Sequence, residues 1–94
     1  MRVIAKGTLR EYWLRHADSR DALATWYRVA KKAKWQNLID VQKTYAYAEA
    51  VDDFTVFNIK GNTYRLIVKI EYKLQVIYIH RVLTHAEYDK DAWK

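Results

Sequence analysis

The residues best suited to chemistry lie in the last third of the chain, close together in the sequence. Arg65 and Arg81 each lie in an apolar, β-branched run, and His85 and Tyr88 follow the second run. Arginine presents a planar fork of donors that matches phosphate oxygens, and histidine can gain or lose a proton near neutral pH. A tyrosine beside cations can act as a base because positive charge stabilises its anion. These side chains can therefore hold a phosphodiester and move its protons.

Two alternatives compete with this interpretation. Arginines on an exposed sheet face commonly pair with carboxylates, and Glu71 and Glu87 are near enough in the sequence to serve. Tyrosines near the end of a domain commonly do no more than pack. The chemical interpretation therefore depends on whether the fold brings the two arginines together beside His85 and Tyr88.

The strands and helices that carry these residues are predicted from the spacing of apolar residues along the sequence. After Asp53 the pattern changes to a period of two in segments rich in β-branched and aromatic residues. Three strands are therefore predicted, at Phe54–Ile59, Thr63–Tyr72 and Val76–Thr84. The short polar connections make them an antiparallel meander. With a turn at residues 73–75, Arg65 lies diagonal to Arg81, and diagonal neighbours are roughly 7–8 Å apart. Both guanidinium groups can then reach one ligand, near Lys60 at a glycine-containing turn.

One face of the long hairpin is predicted to be apolar and covered by helices. It carries the even-numbered positions Tyr64, Leu66, Val68, Ile70, Tyr72, Val76, Tyr78 and Val82. His80 has the same parity, so it is predicted to be buried and hydrogen-bonded. The arginines and Lys69 have the odd parity of the opposite face.

The first half of the chain is predicted to be mainly helical. A short strand at Val3 and Ile4 precedes a helix that starts with a capping box at Thr8–Glu11. A second helix is predicted over Asp21–Lys34, and one further turn over Asn37–Lys43. The four tryptophans lie at helical positions and are expected in the core. The whole chain, 1–94, is thus expected to form one α+β domain in which two N-terminal helices pack on a small curved antiparallel sheet, with a short C-terminal helix.

Composition narrows the classes of function. The chain lacks cysteine and shows no metal-ligand spacing, P-loop or nucleophile elbow, so we expect neither a metal nor a cofactor. No apolar run is long enough to span a bilayer and the start does not resemble a secretion signal, so we expect a cytoplasmic protein. The net charge is +6, of which residues 1–50 supply +5. Such a charge favours polyanionic partners, although solubility alone would also explain it.

Two ordered motifs give the sequence a family resemblance. They are Phe57-Asn58-Ile59-Lys60-Gly61-Asn62-x-Tyr64-Arg65-Leu66 and Val82-x-Thr84-His85-x-Glu87-Tyr88-Asp89. In these motifs the chain resembles the HigB-type toxins of bacterial toxin–antitoxin pairs, within the RelE-like superfamily. The resemblance implies a fold like that of small microbial ribonucleases. It also implies an endoribonuclease that cuts mRNA, commonly in the ribosomal A site.

The resemblance assigns roles and partners. Arg65 and Arg81 match the phosphate-binding arginines, and Tyr88 matches the position of a catalytic tyrosine or histidine, with His85 a close competitor. The residues expected to contact RNA are Lys60, Asn62 and Lys69. The partners implied are mRNA, the ribosome and a HigA-type helix-turn-helix antitoxin, through which alone the toxin would meet operator DNA. The alternative is a basic module that binds RNA, the ribosome or a partner protein without cleaving RNA.

Overall fold

The computed structural model describes residues 1–90 and Trp93, and within them the chain forms an α+β structure, as the sequence predicts. The strands are β1 (Arg2–Ile4), β2 (Glu49–Val51), β3 (Phe54–Ile59), β4 (Tyr64–Glu71) and β5 (Val76–Thr84), and the helices are α1 (Lys6–Arg15), α2 (Arg20–Lys32), α3 (Leu38–Thr44) and α4 (His85–Asp89). A short 3₁₀ turn, Ala17–Ser19, joins α1 to α2. None of the helices in the described residues is long and apolar enough to cross a membrane.

The strands form one sheet in the order β1-β5-β4-β3-β2. Strands β2, β3, β4 and β5 pair antiparallel with one another, whereas β1 runs parallel to β5, with Arg2 opposite Val76. The predicted sheet was wholly antiparallel, and the parallel edge strand corrects it. The physical reason is the connection: three helices and three strands separate β1 from β5, and parallel pairing requires such a long crossover.

The main core lies between the helices and one face of the sheet, here called the inner face. Strand β4 contributes Tyr64, Leu66 and Val68 to it, as the even-number pattern predicted. The helical residues buried in the same cluster are Leu9, Tyr12, Leu23, Trp26, Ala30 and Val41. Trp26 is fully buried and meets Phe57 of β3 edge to face, with ring centroids 5.4 Å apart. Trp35 is also buried here, as predicted, but α2 ends at Lys32, two residues before the predicted end, so Trp35 lies outside the helix. Trp13 is only partly buried.

The pairing of β4 with β5 contains a bulge that changes which residues of β5 face inward. Near the end of the hairpin, Arg65 pairs with Leu83 and Ile67 pairs with Arg81, so the two arginines are diagonal neighbours as predicted. At the turn, however, Glu71 pairs with Val76, which makes the turn one residue longer than expected. A register shift beside Ile67 leaves His80 without a partner and restores the predicted pairing beyond it.

The bulge makes two predictions for β5 wrong. Ile77 and Ile79, and not Val76 and Tyr78, join the inner core. His80 is exposed, where burial was predicted, and stacks on Phe54 with ring centroids 4.6 Å apart. Side chains of a strand alternate between the two faces of the sheet. One extra, unpaired residue in β5 therefore moves every earlier side chain of the strand to the face opposite the predicted one.

The start of α1 also differs from the prediction. The helix begins at Lys6, and its N-cap, Ala5, makes no side-chain capping bond. Thr8 therefore lies inside the helix and does not cap it, because the N-cap is three residues earlier than predicted. A capping box is present instead at the start of α4, where it is formed by Thr84 and Glu87.

Candidate active site

Arg65 lies on the outer face of the sheet, opposite the helix-covered inner face. It is the register partner of Asn58 on β3 and Leu83 on β5, and only 8% of its surface is exposed. Its neighbours on this face form a small apolar cluster, composed of Val56, Ile67, Leu83 and Trp93. A cation in such surroundings must have its donors satisfied by hydrogen bonds, since leaving them unpaired is costly.

The hydrogen-bond acceptors around Arg65 are neutral among the described residues. Nη1 donates to the backbone carbonyls of Asn62 and Tyr64, each at 3.2 Å. Nη2 donates to Oδ1 of Asn62 and to Nδ1 of His85, the latter at 3.0 Å. These bonds fix the guanidinium without cancelling its positive charge. Arg65 is therefore a rigid cation that can still attract an anion.

His85 connects Arg65 to a carboxylate. Because a guanidinium only donates, Nδ1 of His85 must accept, and the ring proton is then on Nε2. Nε2 lies 3.1 Å from Oδ2 of Asp89, one helical turn further along α4. The amide of His85 also donates to the carbonyl of Thr63 at 3.0 Å, which ties α4 to the β3–β4 turn. Asp89 was not among the predicted site residues, although its i,i+4 spacing from His85 is present in the sequence.

The capping box sets the direction of α4. The amide of Glu87 donates to Oγ1 of Thr84 at 3.2 Å, and the amide of Thr84 donates to Oε1 of Glu87 at 2.8 Å. The second bond is the main cause that holds the pKa of Glu87 below its usual value. With the first turn fixed in this way, His85 and Tyr88 lie on the side of α4 that contacts the outer face.

Tyr88 lies between the cation and a carboxylate. The guanidinium carbon of Arg65 is 5.6 Å from its ring centroid, and its hydroxyl donates to Oε1 of Glu49 at 3.3 Å. The ring stacks on Trp93 with centroids 5.3 Å apart. Glu49 belongs to β2, 39 residues earlier, so no local pattern in the sequence could have indicated it.

Arg81 lies on the same face but is not part of this hydrogen-bonded group. It is exposed, and it lines a cavity of about 260 Å³ between β5 and α1, together with Glu11, Tyr12 and Arg15. Tyr12 is buried there by its neighbours, which is the main reason its pKa is raised to about 12. The backbone register keeps Arg81 diagonal to Arg65, close enough for two long side chains to approach one ligand.

The three residues expected to contact RNA lie in different places. Asn62 is bonded to Arg65, as described above. Lys60 instead pairs with Asp18, with Nζ 2.8 Å from Oδ2, near the connection between α1 and α2. Lys60 and the Tyr64 hydroxyl both donate to Asp18, and these bonds lower the pKa of that carboxyl. Lys69 lies four residues along β4 from Arg65, roughly 13 Å away, and approaches Glu71 at 4.0 Å.

The arrangement places two side chains of proton-transfer type, His85 and Tyr88, beside the Arg65 cation. Residues 1–90 and Trp93 contain no cluster of three or more His, Cys, Asp or Glu side chains suited to a metal ion.

The chain matches the model of a known protein family. The model of the HigB toxin family, described as the RelE-like toxic component of a toxin–antitoxin system, matches residues 19–91. The match covers α2, α3, β2 to β5 and α4, and so includes Arg65, Arg81, His85 and Tyr88. Comparison with curated proteins gives no match.

Proposed function

Because the chain belongs to the HigB toxin family of RelE-like toxic components, we propose that it is an endoribonuclease that cleaves mRNA. It would act on the translating ribosome and so stop translation and growth. The observation that carries the proposal is the Arg65 site: a buried cation with neutral acceptors, in contact with His85 and Tyr88. A phosphodiester of RNA is the ligand that this combination of charge and proton-transfer groups suits best.

The proposed reaction uses the RNA's own nucleophile. The 2′-hydroxyl of one ribose attacks the adjacent phosphate, and the bond from phosphorus to the 5′-oxygen of the next nucleotide breaks. Arg65 would stabilise the additional negative charge of the phosphorane, and Arg81 would approach the same phosphate from its diagonal position. The products are a 2′,3′-cyclic phosphate and a 5′-hydroxyl, and no metal or cofactor takes part.

Tyr88 is the base that we favour. Its oxygen can accept the proton of the 2′-hydroxyl while its own proton moves to Glu49, to which it already donates. His85, in its protonated form, would give a proton to the leaving 5′-oxygen. The neutral imidazole produced by this transfer is the form that accepts a hydrogen bond from Arg65 in the structure. The exchange of roles between Tyr88 and His85 is the alternative that mutagenesis must decide.

The ribosome and the polar residues around the site would position the RNA. A bound mRNA held in a fixed geometry lowers the barrier by proximity, so a site with few catalytic groups can suffice. Asn62 orients Arg65, while Lys60 and Lys69 would contact the RNA further from the scissile phosphate. Lys60 would have to exchange its bond to Asp18 for one to RNA.

A HigA-type helix-turn-helix antitoxin is the proposed inhibitor, made in the same cytoplasm. The net charge of +5 on residues 1–50 would attract an acidic partner, and the helical side also exposes 71% of Leu14. An antitoxin on this side would act by blocking entry to the ribosome, and the toxin would reach operator DNA only through it. Co-expression with the neighbouring reading frame should give a stable complex and restore growth.

The direct test is expression in bacteria followed by primer extension on cellular mRNA. Wild-type protein should arrest growth and create discrete new 5′ ends, whereas Arg65→Ala should do neither. Arg28→Ala is the matched control, because Arg28 is an exposed arginine on α2, and it should behave like wild type. Growth arrest with intact mRNA would contradict the proposal and favour the non-catalytic binding module. Circular dichroism of each variant checks that the fold is kept.

A further inference from the structure

The loop between α3 and β2 holds one tyrosine outward from a fixed position. Tyr45 packs against Phe57 of the main core, with ring centroids 5.4 Å apart, and Ala48 is buried. The amide of Ala48 donates to the carbonyl of Tyr45 at 3.0 Å, and Gln42 donates to the carbonyl of Ala48 at 2.9 Å. Tyr47 lies between these anchored residues with 82% of its surface exposed. Its ring is therefore presented to solvent by a loop that is held at both ends.

Tyr47 lines a cavity that adjoins the Arg65 site. The cavity has a volume of about 490 Å³, and its other lining residues are Asn58, Gly61 and Asn62. Asn58 is the register partner of Arg65 on the outer face. Asn62 accepts a hydrogen bond from Arg65 through Oδ1, which turns its Nδ2 donors away from the guanidinium. The cavity is thus next to the proposed phosphate site, with Asn62 shared between them.

The chemistry of this cavity differs from that of the phosphate site. Its lining offers one aromatic ring and two side-chain amides, and no charged side chain. A phosphate would require cations, but an aromatic ring with nearby amides suits a nucleobase, which stacks through its flat face and forms hydrogen bonds at its edge. Its volume is in the range of small-ligand sites.

We infer that Tyr47, Asn58 and Asn62 form a nucleobase subsite for the nucleotide adjoining the scissile phosphate. The inference rests on the proposed function and adds to it the residues that select the base. Tyr47 stacks on the base, and the amides of Asn58 and Asn62 bond its edge. The subsite then contributes both to binding and to the choice of cleavage position.

The test compares Tyr47→Ala and Tyr47→Phe with wild type on purified ribosomes carrying a defined mRNA. Loss of base stacking should lower kcat/KM of Tyr47→Ala by about 5- to 150-fold, mainly through KM, and should weaken the preference for the base beside the cut. Tyr47→Phe keeps the ring and should remain close to wild type. Tyr78→Ala is the matched control, because Tyr78 is an exposed tyrosine at the opposite end of β5 from Leu83, the partner of Arg65.

The outcomes are separable. If wild type cleaves and Tyr47→Ala retains the same kcat/KM and the same base preference, the subsite is refuted while the nuclease function stands. Unchanged cleavage together with loss of neutralisation by the antitoxin would also refute it, and would assign Tyr47 to a protein contact. If wild type itself cuts no RNA, the proposed function fails. Because Tyr47 is so exposed, its variants should melt at the wild-type temperature, which separates a binding defect from unfolding.

Discussion

The inner and outer faces of the sheet are built from the same strands but differ in composition. Alternate residues of β4 show the contrast: Leu66 and Val68 enter the main core, whereas Arg65 and Ile67 face outward. The inner face is covered by helices and packed with aromatic rings. The outer face has a small apolar cluster, and next to it lie Arg65 and the half-exposed side chains of α4.

Because of this difference, residues that stabilise the fold and residues of the proposed site are next to each other in the sequence of β4. A strand places successive side chains on opposite faces, so one strand can supply the core and the proposed site together. Substitutions on the inner face should therefore change the free energy of unfolding, and those on the outer face should change the cleavage rate.

The largest effect is expected from Trp26→Ala on the inner face. Trp26 is fully buried against Phe57, and truncation of such a residue typically lowers the free energy of unfolding by about 3–5 kcal/mol. That is a large part of the total for a small domain. Urea denaturation measures it, with the half-buried Trp13→Ala as the milder control. Equal losses in the two variants would mean that the core is not centred where the structure places it.

On the outer face, Tyr88→Phe should lower the cleavage rate by roughly 10²- to 10⁴-fold if the phenol is the base. It removes only the hydroxyl that donates to Glu49, so the melting temperature should change little. His85→Gln should be milder. Single-turnover cleavage measures both variants, and a severe defect in His85→Gln with a nearly normal Tyr88→Phe would exchange their roles.

A smaller effect, on both stability and activity, is expected from Thr84→Ala. The threonine hydroxyl caps α4, and loss of such a cap costs about 0.5–2 kcal/mol. Since α4 carries His85 and Tyr88, cleavage should fall as well. Thr44→Ala, at an exposed threonine outside the site, is the control for thermal melting and cleavage. Wild-type activity in Thr84→Ala would show that the cap does not position the site.

An effect of the opposite sign, a gain in stability, is expected from Tyr12→Phe. The Tyr12 hydroxyl is buried without a hydrogen-bond partner among the described residues, and such a group costs about 1–3 kcal/mol. Burial raises the pKa of Tyr12 from 10.0 to about 12. The folded state thus favours the neutral phenol, and stability that is full below pH 10 is lost as the pH rises toward 12. Tyr12→Phe should raise the melting temperature and remove this alkaline loss, and a lower melting temperature would contradict the prediction.

Local sequence patterns predicted most helices and strands, because these elements depend on the spacing of apolar residues and on near neighbours in the sequence. Strand β3 lies where the alternating pattern placed it, and the apolar positions of β4 enter the core as expected. The bulge at His80 could not be read from the sequence, because an apolar run such as Val76–Ile79 suits either face. The diagonal placement of Arg65 and Arg81 was predicted correctly only because the longer turn and the bulge cancel.

For the candidate site too, local spacing could be predicted from the sequence and long-range contacts could not. His85 and Tyr88 share one helix, so their proximity follows from their spacing. The contact between Tyr88 and Glu49, and that between Lys60 and Asp18, join residues about 40 positions apart. Such pairs depend on how the elements pack, which no local period encodes.

The most direct measurement is the chemistry of the RNA ends after cleavage on purified translating ribosomes, for wild type and for folded Arg65→Ala. We expect a 2′,3′-cyclic phosphate on the upstream fragment and a 5′-hydroxyl on the downstream one. We also expect Arg65→Ala to lose roughly 10²- to 10³-fold in rate, as removal of a donor to a developing oxyanion does. Fragments with 3′-hydroxyl and 5′-phosphate ends, or undiminished cleavage by Arg65→Ala, would contradict the proposed mechanism.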